Sequence, residues 1–166
     1  MKIKVYAIGK AKDFYLVGIN EYIKRISPYA KVEVIEVKDE SIKENPSNNE
    51  INKAIEIEGD RVIKLLKEKE YLIGLDLNKK EYDSIEFSRY IENKLTSNGG
   101  SISFVIGGSY GLSAKLKERC NDFLTLSKLT FLHQMTRLIL LEQIYRAFKI
   151  LNNETYHKWK SKNLNI

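Results

Sequence analysis

With 166 residues, 43% of them hydrophobic and 30% charged, the chain has the size and balance of one globular domain around a single core. It has no apolar run near the roughly 20 residues that span a bilayer, no signal-peptide pattern at its start, and a lone cysteine, Cys120, that excludes an internal disulfide. These exclusions predict a cytoplasmic protein with no membrane contact, and a net charge of +6 favours a polyanionic partner.

Ile3 to Ile8 reads as a first strand, ended by Gly9. Asp13 to Ser27 follows with helical spacing of Tyr15, Val17, Ile19, Tyr22, Ile23 and Ile26, and Pro28 stops it. Val32 to Val37 mixes acidic and β-branched residues as a half-buried strand does. Lys38 to Asn49 is a polar loop leading into a helix over about Glu50 to Lys67, where Gly59 predicts a bend at a cost of about 1 kcal/mol. Tyr71 to Leu77 is a third strand, Tyr82 to Leu95 a third helix with Ser84 as a candidate cap, and Ser101 to Ile106 a fourth strand. From about Gln134 to Leu151 apolar residues recur at helical spacing in a stripe wide enough for a mostly buried helix. Strands and helices thus alternate, with connections too long for hairpins. That order predicts an α/β domain with a mostly parallel sheet, helices on both faces, and a ligand site at the carboxyl ends of the strands.

The charge is uneven along this chain. Residues 1–110 hold 18 Lys/Arg and 18 Asp/Glu, whereas residues 111–166 hold 10 against 4 and carry the whole excess. A basic end on a neutral body points to nucleic acid, although many proteins that bind none are equally basic.

The fourth strand runs into Gly107-Gly108-Ser109-Tyr110-Gly111. A dinucleotide-binding turn requires G-x-G-x-x-G and a P-loop requires G-x-x-x-x-G-K-[ST], and the turn has neither spacing. Two readings remain open on these residues alone: a tight turn without a ligand, or a close backbone approach to one. No metal is expected, because His133 and His157 stand 24 residues apart and no Cys/His/Asp cluster has ligand spacing. His133, at the entrance of the last helix, reads as a cap or core residue, and Glu142 with Arg146 as a helical ion pair.

The run FVIGGSYGLS, with the later LTLSKLTFLHQMTRLILLEQIYRAFKILNNETYHK, resembles the small SPOUT-class methyltransferases that modify a pseudouridine of large-subunit ribosomal RNA. YAIGK and EYIKRISPY near the start, and EGDRVIKLL and LIGLDLNKK in the middle, are similar to the same family in order and spacing. The resemblance covers about residues 1–158 as a single SPOUT domain and leaves residues 159–166 as a C-terminal extension. It departs from the family's usual pattern at Leu132, where proline precedes the histidine, and at Tyr110, where a small or polar residue is usual.

What this resemblance implies is a homodimeric enzyme that uses S-adenosylmethionine to methylate N3 of pseudouridine 1915 in 23S rRNA, on the ribosome. It also implies a trefoil knot, which periodicity does not reveal. Carried over by position, the cofactor pocket comprises Leu75, Gly107, Leu126, Ser127, Lys128, Leu129, Thr130 and Phe131. Tyr156 and His157 become the catalytic pair, Tyr156 stacking on the base and His157 assisting deprotonation. Lys158, with Arg146 and Arg137, is implied to bind RNA. A SPOUT enzyme acting on another RNA such as tRNA, and a non-catalytic RNA-binding module, are the alternatives.

Overall fold

The computed structural model describes residues 1–156 and residue 158. Its elements run β1 (Lys2–Ile8), α1 (Asp13–Ile26), β2 (Lys31–Val37), α2 (Asn48–Leu65), β3 (Leu72–Leu75), α3 (Ser84–Ser97), β4 (Ser101–Ile106), α4 (Ala114–Arg119), β5 (Asp122–Leu124) and α5 (His133–Leu151). The strands form one parallel sheet in the order β2-β1-β4-β3-β5. This is the α/β architecture that the alternation of elements predicts.

The two faces of the sheet follow from the period-2 alternation of strand side chains. Ile3 and Val5 of β1, Ile73 of β3, Ile102, Phe104 and Ile106 of β4 and Leu124 of β5 point to one face. There they meet Tyr15 and Ile19 of α1, Phe87 and Ile91 of α3, and Leu140, Leu141, Ile144 and Phe148 of α5. Tyr6, Ile8, Leu72 and Val105 point to the other face, against Val62 of α2 and Leu116 of α4. Because β1 and β4 are covered on both sides, they read as near-continuous apolar runs. Each fully buried side chain of this size contributes about 1.5–3 kcal/mol.

On the second face, the carboxylate of Glu70 ties the sheet to the end of α2. It accepts hydrogen bonds from Lys4 Nζ at 3.0 Å, Tyr6 OH at 2.9 Å and Ser103 Oγ at 2.5 Å. Lys4 and Ser103 are register partners on β1 and β4, so one carboxylate closes both strands. A buried polar group satisfied in this way is inexpensive to keep.

Three expectations change. The structure adds α4 and β5, which are six and three residues long and too short to carry a period of their own. Asp83, not Ser84, caps α3: its side chain accepts from Ile85 N and Glu86 N, and Glu86 returns a bond to the Asp83 N–H as a capping box. Finally, α2 runs through Gly59 without interruption, from a matching Ser47/Glu50 capping box to Leu65.

The reason for glycine at position 59 is packing. A Cβ there would lie 2.1 Å from Ser113 Oγ and 3.0 Å from Ser113 Cβ, and Ser113 is itself fixed as the cap of α4. Gly59→Ala is therefore expected to destabilise the protein despite the roughly 1 kcal/mol gained in helix propensity, because overpacking costs about 1–3 kcal/mol. A lowered urea midpoint is the expected result; a raised one would show that α2 and α4 part easily.

Candidate active site

A cavity of about 590 Å³ opens at the carboxyl ends of β3, β4 and β5. Its walls are Leu75, Asp76 and Leu77 after β3, the glycine turn after β4, and the segment from Leu124 to His133 apart from Lys128, with Thr136. The two loops that face each other across it are joined by Thr125, which is buried. Thr125 Oγ1 donates to the Asp76 carbonyl at 2.6 Å and accepts from Lys79 N at 2.7 Å, while Thr125 N donates to the Lys80 carbonyl at 2.9 Å. The Asp76 N–H donates to the Leu124 carbonyl at 3.1 Å, extending the β3–β5 pairing into the cavity wall. Asp76 also pairs through its carboxylate with Lys117 at 2.9 Å, which places an anion and a cation side by side at the rim.

The glycine turn is shaped by its own packing. A Cβ on Gly107 would sit 2.5 Å from the Gly111 carbonyl carbon and oxygen, and Gly111 itself has φ +88. The Gly111 N–H closes the turn on the Gly108 carbonyl at 3.2 Å. A Cβ on Gly108 would lie 3.1 Å from the carboxylate of Glu58, a buried acid whose pKa is pushed up by burial. So these glycines first allow the chain to fold back on itself, and the backbone of Gly107 and Gly108 then forms the cavity wall.

Behind the cavity, Arg137 of α5 is fully buried. It donates to the Ile8 carbonyl at 2.9 Å and the Gly9 carbonyl at 2.7 Å, and pairs with Glu36 at 3.0 Å. One turn earlier on α5, half-buried His133 lines the cavity. Burial, and next the Arg137 guanidinium, push the His133 pKa below its ordinary value, with Asp39 opposing.

The family model described as "Predicted SPOUT methyltransferase" matches residues 1–157. The chain belongs to the SPOUT methyltransferase family. It is 46% identical over 159 residues to the ribosomal RNA large subunit methyltransferase H of Enterococcus faecalis, covering 95% of this chain and 100% of that one. Its likeness to the protein of that name from Carboxydothermus hydrogenoformans is the same in identity and coverage. Among solved structures, a probable methylase family protein from Haemophilus influenzae superposes with a TM-score of 0.53 at 13% identity. That match covers 91% of this chain and 66% of the other, just under two thirds of its length. A Legionella pneumophila methyltransferase with SAM bound gives 0.50 at 12% identity, over 89% of this chain and 66% of that one. At such identities the two structures speak for the fold alone.

The SPOUT fold gathers most of the expected pocket residues and disperses the expected RNA contacts. Leu75, Gly107, Leu126, Ser127, Leu129, Thr130 and Phe131 all line the cavity. Lys128 does not: Ser127 Oγ accepts from Leu129 N at 3.0 Å, and Lys128, between them, is exposed. Arg137 is corrected from RNA contact to buried clamp, since its guanidinium faces the protein interior. Arg146 pairs with Glu142, which also accepts from the Tyr156 hydroxyl at 3.1 Å. The Tyr156 ring packs edge-on against Tyr145 with centroids 4.9 Å apart, so one chain does not bring Tyr156 to its own cavity. His157 lies outside the described residues, and Lys158 is exposed.

Asp76, Lys117 and Thr125 line the cavity without having been singled out from the sequence, and His133 lines it where the sequence suggested a cap or core residue. Each is an ordinary residue type in an ordinary context until the fold joins the loops. Among the described residues, no group of three or more His, Cys, Asp and Glu is placed to hold a metal.

Removing the clamp tests its weight. Arg137→Met leaves Glu36 without its buried partner and two strand-end carbonyls unsatisfied, which is expected to cost on the order of 3 kcal/mol. Urea unfolding reads this directly, and a midpoint equal to the wild type would show that water replaces the guanidinium at little cost.

Proposed function

We propose that the chain is an S-adenosylmethionine-dependent methyltransferase of large-subunit ribosomal RNA, acting on N3 of the pseudouridine at position 1915. The observation that carries this reading is full-length likeness, at 46% identity, to relatives named for large-subunit ribosomal RNA methylation, in a chain whose fold assembles a cavity at three parallel strand ends.

The cavity suits the methyl donor in size and chemistry. Its 590 Å³ lies within the range of small-molecule sites. Leu75, Ile106, Leu124, Leu126 and Phe131 offer apolar walls for a flat adenine, and the glycine-turn backbone offers hydrogen-bonding groups. The Asp76–Lys117 pair at the rim matches the opposite charges of an amino-acid end. When bound, S-adenosylmethionine supplies an electrophilic methyl group on a sulfonium. This chain's residues hold it, exclude water from it and orient the attacking nitrogen, so positioning does most of the catalytic work.

The enzyme acts as a homodimer in this reading. Lys12 N donates to Gln134 Oε1 at 2.8 Å, which sets the starts of α1 and α5 side by side. Together they expose Phe14, Val17, Leu132 and Met135, a patch of large apolar side chains suited to a second copy. The partner's tail then brings Tyr156 and His157 to the target base and Lys158 to a phosphate. The trefoil knot belongs to this reading too.

Three measurements decide among the readings. Labelled methyl groups are expected to pass to ribosomes that lack the mark and to map to the pseudouridine; transfer to tRNA alone, or heat-silent calorimetry with S-adenosylmethionine, would remove the assignment. His157→Ala is expected to lower methylation by at least tenfold with cofactor affinity within about twofold, and a parallel loss of both would contradict its place on the substrate. Val17→Glu combined with Met135→Glu is expected to give monomers in sedimentation, with methylation lost.

A further inference from the structure

A ring N–H is a poor nucleophile until its proton leaves, and the reaction proposed above therefore needs an acceptor close to the donor methyl. The sequence offered His157 for this task, but the histidine that the fold carries into the cavity is His133. We propose that the His133 imidazole accepts the N3 proton of the target pseudouridine; the proposal rests on the methyltransferase reading of this cavity.

Three features of its setting support the role. His133 stands in the first turn of α5, which with Thr136 lines the cavity that collects the strand ends. Among the described residues it makes no hydrogen bond, which leaves a ring nitrogen free for a ligand. Its place is also prepared by a glycine: Gly9 has φ +87, and a Cβ there would come 3.1 Å from His133 Nε2 and 3.8 Å from Arg137 Nη2.

The neighbouring charges keep the base in its working form. Arg137, from the same helix, cannot turn toward the ligand, because it is bound to the Ile8 and Gly9 carbonyls and to Glu36. Burial, and next that fixed positive charge, push His133 toward its neutral form, while Asp39 from the segment after β2 opposes them. A neutral imidazole has the lone pair that the step requires. The N3–H bond breaks as its proton passes to the imidazole nitrogen, and the N3 electron pair forms the bond to the methyl carbon. The carbon–sulfur pair remains on sulfur as a neutral thioether. The imidazolium then returns its proton to water, a release that the adjacent guanidinium favours.

The test uses the full-length protein, ribosomes lacking the mark and a pseudouridine-containing stem-loop RNA. In single-turnover assays, His133→Ala is expected to lower the methyl-transfer rate about 10²–10⁴-fold, with S-adenosylmethionine affinity by calorimetry within about threefold. Added free imidazole is expected to restore part of the rate in His133→Ala and none in His157→Ala. The chain has two histidines, so imidazole NMR signals absent from the His133→Ala spectrum belong to His133; they are expected to shift when the stem-loop is added with S-adenosylhomocysteine. Near-wild-type transfer by His133→Ala, rescue confined to His157→Ala, or unshifted His133 signals would each overturn the proposal. Failure of the wild type itself to methylate any RNA would instead sink the reading on which it rests, and this proposal with it.

Discussion

The arrangement depends on a cation placed where water does not reach. Arg137 sits inside the protein at the carboxyl end of β1, and a charge in that position is tolerated only when its hydrogen-bonding groups are used. Two strand-end carbonyls and Glu36 supply that use, and in doing so they fix where α5 crosses the sheet. Its Nε alone is left without a partner among the described residues. The position of α5 in turn sets the far wall of the cavity, since His133 and Thr136 belong to its first turn. A helix held only by apolar contact has several nearly equivalent registers, whereas one held by a buried guanidinium has one.

The opposite wall is held by a neutral device. Thr125 directs its hydroxyl and its backbone N–H to the loop after β3, tying together the two loops that enclose the cavity. The third wall, the glycine turn, folds back on itself: Gly111 occupies the space where a Gly107 side chain would stand, and Gly111 itself has φ +88. A charged clamp, a hydroxyl joint and a self-packed turn thus give a preformed site on the rigid end of a sheet. Preformation matters for methyl transfer, where the barrier falls mainly by alignment of donor and acceptor.

Much of this was readable from the chain. The β1, α1, β2, α2, α3, β4 and α5 segments carry strong periods, because each buries one face or both and must repeat accordingly. The cavity-lining positions Leu75, Gly107, Leu126, Ser127 and Leu129 to Phe131 were legible through family resemblance, with Lys128, which is exposed, the exception. Arg137 was misread as an RNA contact because a lysine or arginine in a helix carries no mark of burial. The partners that bury it, Ile8, Gly9 and Glu36, are about a hundred residues or more away in sequence. That His133 lines the cavity was hidden for the same reason, as its neighbours Gly9 and Asp39 come from distant segments.

By itself, then, the sequence determined the alternation of strands and helices, the basic end and the membership of the family, all of which depend on local pattern or on ordered motifs. Only the tertiary structure decided which cations face solvent, why Gly59 and Gly107 must be glycine, and which histidine enters the cavity. Those outcomes depend on atoms brought within a few ångströms by chain closure, and neither composition nor period encodes such distances.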